Sequence, residues 1–283
     1  MTRSDLVGLQ DHLTDSDLQL LRDADKYRLL TTSQIQRLYF DHARPTPVAA
    51  ARACNRTLAR LRRLHILKAL ERRIGGVRAG SAGFVWYVGP AGDRLLRLLE
   101  PAAGRGRRNY REPSRYFVDH TLAIAELAVQ TIEAARSSDV EIFDLQTEPD
   151  SWQQSLSPRG TVQWLKPDLR LVTANGDYEY HWFLEIDLAT EHAPVVLRQC
   201  LAYQSFRATG RYQATHDTFP VVVWVVPDEH RRQQLRGWID ADGRLDPRLF
   251  TVITANDFLD LIRSGGHDTF TNPGGGQKGG TTS

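Results

Sequence analysis

The run FPVVVWVVP, with Val221 to Val226 apolar at every position, sets the strongest limit on the fold. A strand with one wet face alternates apolar and polar side chains, so an unbroken apolar run belongs to a strand covered on both faces. Its neighbours supply the cover. VEIFDLQ, PDLRLVT and YHWFLEIDL read as further strands, and RYFVDHTLAIAELAVQTIEAARSS reads as a long helix with Val118, Leu122, Ala125 and Val129 as its apolar stripe. A helix from about Pro194 to Thr209 separates the last two strands, and helices follow at 228–239 and 254–263. The order αβββαβα predicts an α/β domain with a mixed sheet over residues 114–263.

A chain of 283 residues has room for a second modest domain and a tail. With 41% hydrophobic and 25% charged residues it is globular in composition. It has no 18-residue apolar run, so no membrane span is expected. The start, MTRSDLVGLQDHL, puts acids where a signal peptide needs its apolar core. Cys54 and Cys200 lie far apart and make no metal-ligand spacing. A cytoplasmic, reduced protein is expected. Residues 264–283 are mostly Gly, Thr and polar, and read as a disordered tail.

Charge is divided along the chain. Residues 1–112 hold 21 Lys+Arg and 11 Asp+Glu, so +10; the remainder holds 36 − 21 = 15 basic and 34 − 11 = 23 acidic residues, so −8. A basic front suits a polyanionic partner. Within residues 13–100, LTDSDLQLLRDADKY starts a helix near Asp15. Thr31 and Gln34 have capping-box spacing before a second, and Thr46-Pro47 open a third that runs to Leu64. A hairpin with a Gly/Ser-rich tip and the helix AGDRLLRLLE follow.

Three helices and a hairpin is the order of a winged helix-turn-helix, whose third helix lies in the major groove of double-stranded DNA. On that helix Arg52, Arg56, Arg60 and Arg63 fall within about 80° of one another, nearly opposite Ala51, Cys54, Leu58 and Leu61. Guanidinium forks there suit phosphates and guanine edges. Arg72, Arg73 and Arg78 surround the hairpin tip, in reach of backbone beside the groove. Residues 101–113 read as a basic linker, with Arg105, Arg107 and Arg108 able to follow phosphates. The competing readings are a merely solvated charged face, or a winged helix that binds protein.

In the rear domain three acids share a register. Asp168 begins one strand. Glu185 and Asp187 end the next, pointing the same way with Cα atoms about 7 Å apart. Either they converge on a hard cation such as magnesium or manganese, or they are solvated strand ends. An ion there activates water and neutralises a scissile phosphate.

Pro167-Asp168 and Glu185-Ile186-Asp187, in the αβββαβ order, resemble the PD-(D/E)XK nuclease superfamily. Glu126, on the long helix, matches the extra helix acid that many members use. The chain from residue 13 to 263 further resembles the replication-relaxation family of bacterial mobile elements, in FLEIDLATEH and the following VLRQCLAYQSF. That resemblance implies a DNA-binding protein acting in replication, relaxation or transfer of a plasmid or other mobile element. It also implies metal ligands at Asp168, Glu185, Asp187 and Glu126. The superfamily lysine position is Asp187, however, and no Lys occurs from 167 to 277. Lys166, Arg198 or Gln204 would have to compensate, or the domain has kept its fold without catalysis. Three functions stand open: a DNA-binding protein, a metal-dependent nickase, and a transcriptional regulator dimerising through its rear domain.

His120, His181 and His192 are candidate ligands but read as structural. Tyr203 reads as helix packing, and no phosphate-binding Gly loop is present.

Overall fold

The computed structural model describes residues 3–70, 83–101, 113–156, 160–265 and 276–277. They divide into two compact units, Met1–Val129 and Gln130–Ser283.

The first unit opens with α1 (Arg3–Gln10), absent from the sequence expectation, which buries Leu6 and Leu9. Next comes α2 (Asp15–Lys26), started by a reciprocal box in which Thr14 accepts from the Asp17 N–H and Asp17 accepts from the Thr14 N–H. A short β1 (Leu30–Thr31) leads into α3 (Thr32–Tyr39), where the expected Thr31–Gln34 box is formed. In α4 (Pro47–Arg63), Thr46 accepts from the Ala49 N–H and Pro47 takes the first turn. This helix buries Ala50, Ala53, Cys54, Leu58 and Leu61.

Two strands follow, β2 (Leu67–Ala69) and β3 (Val85–Val88), and β3 sits between β1 and β2 in an antiparallel sheet. Then α5 (Pro90–Leu99) packs so tightly that a Cβ on Gly92 would stand 2.4 Å from the Ile66 carbonyl oxygen. From the long α6 (Arg115–Ser137), Val118 and Leu122 complete an apolar cluster with Leu29, Leu70, Val85 and Tyr87.

The second unit is α/β with a mixed sheet, as the apolar run requires. Its strands are β4 (Val140–Thr147), β7 (Leu169–Asn175), β8 (Tyr178–Ile186), β9 (Val221–Val226) and β10 (Phe250–Thr254). The order is β10-β9-β8-β7-β4; β8, β9 and β10 are parallel to their neighbours among themselves, while β4, β7 and β8 are antiparallel. Between β4 and β7 the chain inserts a ribbon, β5 (Gln153–Leu156) and β6 (Val162–Leu165). The helices are α7 (Ala193–Ala208), the short α8 (Gln213–His216), α9 (Glu229–Ala241) and α10 (Phe258–Ser264). Gly276–Gln277, a two-residue β11, pairs with Tyr178 and Glu179.

Val221–Val226 is an interior strand, between β10 and β8, and is covered, as expected. Val222, Trp224 and Val226 face a core built with Phe183 and with Val196, Cys200, Tyr203 and Phe206 of α7 and Leu235 and Ile239 of α9. Val223 and Val225 are equally buried. The sequence reading did not include β5, β6 or β10. QQSL and VQWL are too polar to announce strands, and the five residues of FTVIT sit between two helices. No described helix is long and apolar enough to cross a membrane.

Candidate nucleic-acid interface and a buried acid group

The exposed side of α4 follows from which of its residues the core takes. With Ala50, Cys54, Leu58 and Leu61 inward, Arg52, Asn55, Arg56, Ala59, Arg62 and Arg63 stand outward. Arg52, Arg56 and Arg63 have no protein partner among the described residues, whereas Arg62 lies over the Phe84 ring at 5.9 Å. Arg60 is placed differently. It sits at the edge of the face and donates to both carboxylate oxygens of Asp17, at 2.6 and 2.7 Å. Burial opposes the charge on Asp17, but Arg60 and the Thr14 donors outweigh it and hold the carboxyl below its usual range. Arg60 thus ties α4 to α2. Asn55 and Arg62, which helical spacing alone does not single out, complete the outward face.

The remaining arginines of the expected interface, Arg72, Arg73 and Arg78 of the hairpin tip and Arg105, Arg107 and Arg108 of the linker, lie outside the described residues.

In the second unit all three acids of the register are buried: Asp168 is 7% exposed, Glu185 6% and Asp187 2%. They are not solvated strand ends. Asp168 stands just before β7 and its Oδ2 accepts the Ile186 N–H at 2.8 Å. Glu185 lies opposite Trp224 in register and faces α7, where the Tyr203 hydroxyl donates to it. Burial, then the nearby charge of Asp168, push the Glu185 carboxyl well above its usual range, with Glu191 and Glu148 adding to the effect. The Tyr203 hydroxyl is pushed up as well, by burial and by Glu185.

Asp187 follows β8 and is anchored by its N–H to the Val225 carbonyl. Its Oδ2 accepts from Arg231 Nε at 2.5 Å. That guanidinium, one turn into α9, also donates to Gln234 Oε1 and to the Glu191 carbonyl, both at 2.6 Å, and lies over the Trp238 ring. Asp187 Oδ1 is buried without a partner among the described residues. No group of three His, Cys, Asp or Glu among the described residues is arranged to hold a metal ion.

The other expected members have their own partners. Lys166 lies 4.2 Å over the Trp152 ring. Gln204 donates to the Arg244 carbonyl and accepts the Asp246 N–H, both at 2.7 Å, so it fastens the turn before the 3-10 segment Pro247–Leu249. Arg198 is exposed. Glu126 belongs to the first unit, where it accepts from Arg37 at 2.6 Å and Gln34 at 3.1 Å. His181 is buried between the Tyr212 hydroxyl and Glu179, His120 stacks on Tyr116, and His192 is the exposed N-cap of α7. Sequence reasoning missed Arg231, Glu148 and Glu191. Arg231 was hidden because the first turn of α9, EHRR, reads as an ordinary solvated helix start.

Among known proteins, no curated protein and no solved structure matches this chain. One family model does, that of replication-relaxation, over residues 21–222. The match runs from α2 through the helix face, the acid register and α7 into β9, and the chain belongs to the replication-relaxation family.

Proposed function

We propose that this chain binds double-stranded DNA of a plasmid or other mobile element through a winged helix in its first unit, and acts in replication, relaxation or transfer of that DNA. The observation that carries the reading is the outward face of α4, where Arg52, Arg56 and Arg63 have no protein partner among the described residues. The order α2, β1, α3, α4, β2, β3, with β3 central, is that of a winged helix, and it supports α4 as the element that enters the groove. A face of unpaired guanidinium groups, opposite a core side, suits phosphates and guanine edges. The family adds the biological setting.

The second unit we read as a PD-(D/E)XK-like domain, supported by Pro167-Asp168, the Glu185–Asp187 register and the strand order. Its acid group is internally compensated: Arg231 holds Asp187, Tyr203 holds Glu185, and Asp168 holds a backbone N–H. That arrangement favours a domain that positions DNA or pairs two copies. A second reading, a magnesium- or manganese-dependent nickase, is favoured by one atom, Asp187 Oδ1, which is buried with no partner among the described residues.

Duplex binding as a function of salt tests the first reading. Wild type should lose affinity steeply with salt, and Arg52→Ala/Arg56→Ala/Arg63→Ala should bind weakly with a flatter slope. Equal affinities would reject α4 as the contact. Titration with magnesium and manganese, with nicking of supercoiled DNA in parallel, tests the second. Binding and nicking that both vanish in Asp187→Asn would establish it, and their absence in wild type would end it.

A further inference from the structure

The β5–β6 ribbon seats Ser155 and Leu165 in the protein and leaves its other face bare. Register pairs Gln153 with Leu165, Gln154 with Trp164, Ser155 with Gln163 and Leu156 with Val162. Strand alternation puts Gln153, Ser155, Gln163 and Leu165 on one face, and Leu165 joins the core beneath. On the opposite face Leu156, Val162 and Trp164 are 55%, 48% and 52% exposed. Lys166 and Trp152 continue the row, with the Lys166 ammonium 4.2 Å over the Trp152 ring and the two indoles edge to face at 6.4 Å. A cluster of large apolar side chains in water calls for an occupant.

Charge narrows the choice. Residues 113–283 carry 15 basic and 23 acidic residues, yet Ser151–Lys166 contains no Asp or Glu and ends on the only lysine between 69 and 277. In sequence the ribbon is a neutral-to-basic stretch of an acidic half, bounded by Asp150 and Asp168. Three apolar side chains also make a small patch for a stable protein interface, which covers about 800 Å2 of each partner. A half-exposed indole, an amide directly across from it and an ammonium two residues on together match a strand of unpaired bases. The ring stacks a base, the Gln154 amide meets a base edge, and Lys166 meets a phosphate.

We infer that the exposed face of the β5–β6 ribbon binds single-stranded DNA, with Trp164 as the stacking platform. The inference rests on the reading of the chain as a DNA-processing protein, but uses a surface separate in sequence from α4. An unpaired segment beside the duplex site is the substrate it fits, as arises when a duplex is opened.

The test uses the full chain, with fluorescence anisotropy of a labelled oligothymidylate and, separately, of a duplex. Trp164→Ala should weaken oligothymidylate binding about tenfold, within the range for loss of one stacked base, and leave duplex affinity unchanged. Trp164→Phe should retain most of the single-strand affinity, since any aromatic face stacks. A wild type that binds no oligothymidylate, or a Trp164→Ala protein that binds it equally well, overturns the inference. Loss of self-association in sedimentation, with single-strand binding intact, also overturns it and assigns the face to a second copy. Failure of the α4 reading shows differently, as a wild type that binds oligothymidylate but no duplex.

Discussion

Arg231 and Asp187, 44 positions apart, meet with Nε 2.5 Å from Oδ2 while their side chains are 7% and 0% exposed. The pair brings a cation from α9 to the end of β8. A buried ion pair adds little stability over well-packed apolar residues, but removing one member strands the other in a medium that cannot solvate it. Arg231→Met should therefore destabilise the fold by about 3–5 kcal/mol, and Arg231→Met/Asp187→Leu should recover most of that loss. Urea midpoints at constant slope measure both. An unchanged midpoint in the single variant would mean that water reaches Asp187.

Glu185 gives the pH dependence its sign. Its carboxyl in the folded protein titrates well above the ordinary value because it is buried beside Asp168. Above the ordinary value the unfolded chain has lost this proton while the folded chain keeps it. Stability contributed by the group is thus full at low pH and falls as pH rises toward the folded pKa, by at most about 1.4 kcal/mol per pH unit. Glu185→Gln keeps the shape and removes the titration. It should match wild type near pH 4 and exceed it near pH 8, read as thermal midpoints across that range.

The arginines of α4 should separate by role. Arg60→Ala leaves Asp17 buried without its partner, so the melting temperature should drop and the capping box at Thr14 should weaken. Arg52→Ala, Arg56→Ala and Arg63→Ala should leave stability within about 0.5 kcal/mol and each reduce the slope of log affinity against log salt by about one. Thermal unfolding and duplex titration on the same four proteins check this. A melting temperature that falls as much for Arg56→Ala as for Arg60→Ala would erase the distinction.

Both cysteines should be silent in the folded state. Burial pushes the Cys54 and Cys200 thiols up to about 12, and neither is accessible. A disulfide-exchange chromophore at pH 8 should label neither thiol until denaturant is added, then both at once. Rapid labelling of one would report local opening around it.

The parts of the fold that could be read from sequence are those where one physical signal acts alone. Val221–Val226 announces a doubly covered strand, Thr31 and Gln34 announce a helix start, and both are found. Asp168, Glu185 and Asp187 were legible as a register because strand alternation fixes their direction. What each carboxylate touches was not legible, because Arg231 comes from 44 residues away and Tyr203 from the next helix. Arg60 shows the same limit within one element. Helical periodicity puts it with Arg56, and only the position of Asp17 on α2 assigns it to a contact between the two helices.

The first half of α6 has a practical corollary for anyone dividing this chain into pieces. Val118 and Leu122 cover Leu29 and Val85, and Glu126 is the acid that receives Arg37 and Gln34. A fragment ending at residue 112 strips that cover and removes Glu126 from Arg37 and Gln34, so it should be prone to aggregation and protease-sensitive. Carrying the cut to the end of the helix, after Ser137, keeps the apolar seam closed, and an intact fragment of the first unit begins with that choice of terminus.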